Sequence, residues 1–395
     1  AWPLADGTIA GYDNLIYPEL IEQAHQAGKK VLIALGGWGH CAGFSPMAAN
    51  PTVRAKFVTN LVTYLSDHGY DGVDFDWEYP QNAADSANQT SLIKEVRQAF
   101  DQANPSWRIT MAVTASDWYG RWNNYSALLP YVDWYNVMTY DFHGSWTDHA
   151  GHNAPLYAPP TDYDGSVHQG ITYLNSTRRV PKTKIVMGLP FYGREFNAAA
   201  LYGPSTGATE LMYFEIVERI NLGWVYHWDD FSKVPYLTNA DHTKLITFDD
   251  SVSIRLKCEY ARERGLSGVM IWALGQDVVA GTQPLLEAVG RAMSTPVGIA
   301  ITEHPVARDF ELFDNYPNPF HATTTIEYYL ERDLPVKLSV YDVTGRLVEV
   351  LQNSLARKGK NTITWKASGH ASGLYFYKLE ICHLVVARKM LFLKD

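Results

Sequence analysis

Four carboxylates fall within the stretch Asp71-Gly72-Val73-Asp74-Phe75-Asp76-Trp77-Glu78, and the last three alternate with apolar residues. In an extended strand, alternate side chains share one face. Asp74, Asp76 and Glu78 then point one way, and Val73, Phe75 and Trp77 the other. The apolar face packs, while the acidic face gathers negative charges a few ångströms apart. Like charges this close cannot all stay ionised, so at least one pKa is pushed up. A carboxyl that keeps its proton near neutral pH is the donor that glycosidic bond cleavage needs. A metal site or a solvated face is the alternative use of such a row. The apolar flanks argue for burial instead, and Asp71, at the start, reads as scaffold bonded to nearby backbone.

The remaining composition narrows the class. The chain has 395 residues, 46% of them hydrophobic, enough for one large domain plus a module. Its net charge of -9, with acids and bases dispersed, argues against nucleic acid as a partner. No apolar run reaches the roughly 18 residues that span a bilayer. Cys41, Cys258 and Cys382 are far apart, odd in number and form no CxxC pair. Free thiols are expected, with no disulfide framework, metal site or cofactor. Trp38, Trp118, Trp122 and Trp146 lie in Gly-, Asn- and Ser-rich stretches, where exposed rings suit the faces of sugars. The chain opens at Ala1-Trp2-Pro3-Leu4 without the pattern of a signal peptide, so a leader is expected to be removed or missing.

The elements that must position the acidic row alternate from about residue 17 to 293. Helices are expected at 17–27, 51–67, 84–103, 124–130, 163–177, 251–264 and 284–293. Strands are expected at 30–35, 71–78, 108–115, 132–141, 184–190 and 268–273. Asn50 and Pro51 read as the cap and first position of the second helix, and Gly69 as its stop. Apolar strands separated by helices predict a parallel sheet with helices outside. Long loops after the strands and short ones before them are the asymmetry of a barrel with its site at the strand C-terminal ends. Residues 195–250 break the alternation and read as a small α+β insertion, with a helix at 210–221 and strands at 225–229 and 244–248. Residues 295–312 read as a linker. Beyond it, six runs separated by turns, with no helix, predict an all-β sandwich over 313–395.

Five motifs in order carry a resemblance. Asp71-x-x-Asp74-x-Asp76-x-Glu78 is similar to the signature of glycoside hydrolase family eighteen, the chitinases and related endo-N-acetylglucosaminidases. Ala34-Leu35-Gly36-Gly37 resembles the family's third strand, with Ala34 where Ser is usual. Met138-Thr139-Tyr140-Asp141, the run from Gly188 to Arg194, and Gly268-Val269-Met270-Ile271-Trp272 resemble its sixth, seventh and eighth. The resemblance implies a (β/α)8 TIM barrel over 1–294. Only about 30 residues precede the third strand, and Ala1 to Asp6 resembles the tail of the second. Strands one and two are therefore expected to be absent, through truncation or a barrel open on one side. The tail, from Asn315-Tyr316-Pro317-Asn318-Pro319-Phe320 to Lys389-Met390, resembles the sorting domain of the type nine secretion pathway. That implies a secreted or surface-held bacterial protein, a secretion machinery as partner, and cleavage of the domain. A fibronectin-like spacer or a carbohydrate-binding module is the other reading of the tail.

The family's chemistry is substrate-assisted, an exception to the two-carboxylate scheme. What the resemblance implies is Glu78 as general acid and base, with Asp76 orienting the substrate's acetamido N–H and Asp74 sharing a proton with Asp76. Tyr140 donates to the acetamido group. Trp272 forms the floor of the cleft and Met138 lines it, while Asp141 binds the sugar or its Tyr and Glu partners. Tyr192, Arg194, Trp38, Gly37 and Tyr79 are further substrate contacts, and His143 and His149 read as polar residues of a loop. The implied activity is retaining hydrolysis of β-1,4-linked N-acetylglucosamine by a secreted, monomeric chitinase. The alternatives are an endo-β-N-acetylglucosaminidase on N-glycans and a non-catalytic chitin-binding lectin, which the presence of Glu78 opposes.

Overall fold

The computed structural model describes the chain except for residues 12–15, 295–309, 314, 331–332, 344–345, 382–383 and 395. It divides into two compact units, residues 1–296 and 297–395. Among the described residues, no helix is long and apolar enough to cross a membrane.

In the first unit a short hairpin, β1 (Trp2–Pro3) and β2 (Ile9–Ala10), precedes the parallel strands. These are β3 (Ile33–Gly36), β4 (Gly72–Asp76), β5 (Arg108–Thr114), β6 (Trp134–Met138) and β7 (Ile185–Pro190). An antiparallel group follows: β8 (Tyr192–Phe196), β9 (Ala208–Met212), β10 (Val225–Asp229), β11 (Val234–Thr238) and β12 (Leu245–Thr247). The last parallel strand is β13 (Gly268–Trp272). The parallel sheet runs β13-β7-β6-β5-β4-β3, so six staves are present, as the sequence predicts. The strands at its two edges, β3 and β13, are mostly half-exposed, whereas β7 between them is almost wholly buried. The start of the chain lies against the β3 edge: Gly36 N–H donates to Ala1 O at 2.9 Å.

Local chemistry places the helices. Asn50 caps the helix Pro51–His68 by accepting from Thr52 and Val53 N–H groups, and Gly69 ends it with φ of +75°. Leu61 and Leu65 of this helix, and Leu92, Ile93 and Val96 of the helix Ala83–Ala103, are fully buried in the core that also holds Val73 and Phe75. Arg54 forks onto Glu95 at 2.9 and 2.7 Å between those helices.

The insertion is more extended than expected. Residues 210–212 belong to β9, where Arg194 stands opposite Glu210, and the helix begins only at Tyr213. Strands β8 and β11 also join the five-stranded sheet ordered β10-β11-β12-β8-β9. The helix expected at 163–177 starts at Val167 and ends in a π-helical turn, Tyr173–Thr177.

In the second unit the strands are β14 (Phe310–Leu312), β15 (Thr323–Leu330), β16 (Leu334–Asp342), β17 (Leu347–Ala356), β18 (Gly359–Lys366), β19 (Gly373–Ile381) and β20 (Leu384–Phe392). They form two antiparallel sheets, β14-β15-β18 and β17-β16-β19-β20. One apolar cluster joins them, with Phe320, Tyr328, Trp365, Tyr377 and Met390 buried. Phe310 to Leu312, at the end of the expected linker, pair with β15; the rest of that linker and Cys382 lie outside the described residues.

Candidate active site

The acidic row sits where alternation puts it. Val73, Phe75 and Trp77 are buried in the core, and Asp74, Asp76 and Glu78 take the other face. The strand ends at Asp76, so Glu78 stands just past its C-terminal end. Asp74 accepts from Asn136 Nδ2 at 2.9 Å and from the Thr110 hydroxyl. Burial raises its pKa, while those two donors pull it back. Asp76 is pushed up to about 8, first by burial and then by the negative charges of Glu78 and Asp74. Its Oδ1 is buried without a hydrogen-bond partner. Burial also raises the Glu78 pKa, against the Tyr79 hydroxyl, Asp76 and the Trp38 backbone N–H, which hydrogen-bond its carboxylate. Asp71 behaves differently. Its Oδ2 accepts from Val31 N–H at 2.8 Å and lies 2.8 Å from His25 Nε2. Burial works to raise its pKa, but these partners outweigh it and hold the group low, as befits scaffold.

The Gly-Gly turn after β3 fits against this row. A Cβ on Gly36 would lie 2.3 Å from Asp76 O, and φ there is +107°, so only glycine fits. Gly37 N–H donates to Asp76 O at 2.8 Å. Four residues on, Cys41 Sγ donates to Asp76 O at 3.2 Å and accepts from Glu78 N–H at 3.1 Å. This thiol, read from sequence only as a free cysteine, braces the backbone that carries Glu78.

The other strand ends supply the opposite wall. Tyr140 follows β6, and its burial, together with Asp76, Asp141 and Glu78 nearby, raises its pKa well above 10. Gly188 of β7 makes room for it: a Cβ there would lie 2.8 Å from Tyr140 Cε1. Asp141 takes the uncommon φ of +59° and accepts from Tyr192 Oη at 2.8 Å and Arg194 at 2.5 Å. Tyr192 is buried, so it and Arg194 hold Asp141. Met138 is half-buried at the end of β6. Tyr79 stacks on Tyr119 with ring centres 5.0 Å apart. Trp272 ends β13 and is 52% exposed, an open platform. Trp38, Trp118 and Trp146 are exposed as expected, whereas Trp122 is half-buried. His143 lies in the loop after β6, as the sequence reading has it, and is fully buried there.

Comparison with known proteins shows the family of the first unit. Residues 8–277 match the model of glycosyl hydrolases family 18, and residues 314–392 that of the secretion system C-terminal sorting domain. Chitinase A1 of Niallia circulans is 33% identical over 283 residues, 63% of this chain and 40% of that protein. A probable endochitinase of Caenorhabditis elegans is 33% identical over 312 residues, 70% of this chain and 50% of that protein. The chain thus spans half or less of the length of these two relatives. Among solved structures, the Group IV chitinase of Ostrinia furnacalis superposes with a TM-score of 0.69 at 29% identity, over 74% of this chain and 90% of that one. Human YKL-39, described as a pseudo-chitinase with retained chitooligosaccharide binding, gives 0.69 at 25% identity, over 74% of this chain and 89% of that one. With its acidic strand, Gly-Gly turn and Tyr140 wall inside the matched span, this chain belongs to family 18 of the glycosyl hydrolases.

Proposed function

We propose that the first unit hydrolyses β-1,4-linked N-acetylglucosamine chains with retention of configuration, using the substrate's own acetamido group as nucleophile. The observation that carries this reading is a row of three half-buried carboxylates ending in Glu78, each with its pKa raised by desolvation and faced by Tyr140. Asp141, the nearest further carboxylate, is held by Tyr192 and Arg194 and so is poorly placed to attack a sugar. Glu78 gives its proton to the glycosidic oxygen as the bond to the anomeric carbon breaks. The acetamido oxygen attacks that carbon from the other face and closes an oxazolinium ring. Asp76, taking the acetamido N–H, and Tyr140, donating to the acetamido oxygen, hold this nucleophile in place. Glu78, now a carboxylate, takes a proton from water; the water opens the ring and the starting configuration returns. Trp272 stacks beneath the sugar.

Export rests on the match of residues 314–392 to a sorting domain, which supports an address read by a secretion machinery and a secreted or surface-held enzyme. An inactive, chitin-binding reading draws on the likeness to YKL-39. Glucosamine-based and N-acetylglucosamine-based chromogenic oligomers decide the mechanism. Only the acetylated ones are expected to turn over; comparable hydrolysis of cello-oligomers sinks substrate assistance. Turnover of N-glycans in preference to chitin oligomers moves the reading to an endo-β-N-acetylglucosaminidase.

A further inference from the structure

The loop after β6 gathers a second set of chemistry-bearing side chains. His143, His149, Asp162 and Asp164 each offer one ligand atom, and these atoms all lie within 4.8 Å of one another. His143 Nε2 is 3.2 Å from Asp162 Oδ1 and 3.3 Å from Asp164 Oδ2, and His149 Nε2 is 3.0 Å from Asp164 Oδ2. Nitrogen and oxygen ligands at about 2.0–2.2 Å around one tetrahedral cation stand roughly 3.3 Å apart.

Hydrogen-bond accounting favours a cation between them. His143 is wholly buried, and its Nδ1 lies 2.9 Å from His152 O. A carbonyl only accepts, so Nδ1 carries a hydrogen, and in the neutral ring Nε2 is left with a lone pair to offer a cation. His143 Nε2 faces two carboxylates and makes no hydrogen bond, and Asp162 Oδ2 is likewise buried without a partner. His149 repeats the pattern, with Nδ1 2.8 Å from Asp148 Oδ1 and Nε2 facing Asp164. An imidazole anchored through its outer nitrogen by a carbonyl or carboxylate, with the inner nitrogen turned into an oxygen-lined nest, is arranged as metal-binding histidines are.

We propose that His143, His149, Asp162 and Asp164 bind one divalent transition-metal ion, and that two imidazole nitrogens with two carboxylate oxygens select zinc over calcium or magnesium. The ion ties residues 162–164 to the segment that begins beside Asp141, closing the long loop at one point. The expectation of no metal site rested on the cysteines; these ligands are histidine and aspartate, too scattered along the chain to form a spacing motif.

The test uses the whole chain, purified without metal-affinity steps. After equilibration with zinc chloride and dialysis, mass spectrometry of the metal content should find about one zinc per chain. The melting temperature should rise with zinc, fall back with chelator and ignore calcium and magnesium. X-ray absorption at the zinc edge should show only nitrogen and oxygen ligands at about 2.0–2.2 Å. The double variant His149→Gln/Asp164→Asn should keep its melting temperature in chelator, lose the zinc-dependent rise and bind zinc at least about tenfold to a hundredfold more weakly. Sulfur ligands, a calcium response equal to that of zinc, or undiminished zinc binding by the variant would each overturn the assignment. A wild-type chain that retains no zinc and melts unchanged in its presence would make the cluster an imidazolium–carboxylate network and end the proposal.

Discussion

Two sets of carboxylates shielded from solvent in the first unit are held in opposite ways. Asp249 is inaccessible and meets an equally inaccessible Lys257, whose ammonium donates to both carboxylate oxygens at 2.6 Å. Burial pushes Asp249 up and Lys257 down, and each partner pulls the other back toward its charged form. The row Asp74, Asp76, Glu78 is half-buried, and among the described residues no cation is paired with it. Its partners are a threonine hydroxyl, an asparagine amide, a tyrosine and the Trp38 backbone N–H. Burial with a matched charge makes a staple between the segment that follows β12 and the helix Ser251–Glu263. Burial without one makes groups that hold protons where ordinary carboxyls have lost them.

This contrast can be broken at four points, in order of expected effect. Glu78→Gln should lower hydrolysis of a chromogenic chitobioside by roughly 10²–10⁴-fold, the usual share of a general acid. Its melting temperature should hold or rise; a variant that keeps most of its activity removes Glu78 from the acid role. Next, Asp249→Asn should cost about 3–5 kcal/mol in a urea melt, because it strands the Lys257 charge. A loss below about 1 kcal/mol would mean that the pair is no staple. Third, Asp74→Asn should move the other way, leaving stability unchanged or higher by up to about 1 kcal/mol, since it removes a buried carboxyl and keeps an acceptor for Thr110. A destabilisation on the scale of Asp249→Asn would erase the distinction between the two sets.

The smallest effect is on pH dependence, and its sign differs between Asp76 and Asp71. The pKa of Asp76 is raised in the fold, so its contribution to stability is complete below the ordinary carboxylate range, about 4, and drains away as pH rises through about 8. The pKa of Asp71 is lowered, so its contribution is present above about 4 and is lost as pH falls. Asp76→Asn should therefore flatten the decline on the alkaline side, and Asp71→Asn the decline on the acid side. Chemical melts at pH 3, 6 and 9 separate the two, and the reverse pattern would undo both roles.

Strand β4 was legible because its alternation is local: one face must pack, and the period of two assigns every side chain. The Gly36-Gly37 turn was legible for a related reason, since two glycines after an apolar run mark a close backbone approach. The insertion was less legible. Residues 210–212 look helical in isolation, but pairing with β8 sets Glu210 beside Arg194 and overrides that preference. Pro235, which lacks an N–H, disguised β11. Cys41 went unread because its partners, Asp76 O and Glu78 N–H, lie more than 30 residues along the chain, and the nest around His143 because its four members sit in one irregular loop with no element period to align them.

The Cys41 brace has a redox consequence. Its sulfur is poised between Asp76 O and Glu78 N–H, and burial lifts its thiol pKa to about 11, with the two neighbouring carboxylates adding to the effect. Oxidants and disulfides react with thiolate, so a thiol held this far from ionisation stays inert at neutral pH. The same packing that braces the backbone of Glu78 therefore keeps this thiol unreactive toward oxidants and disulfides.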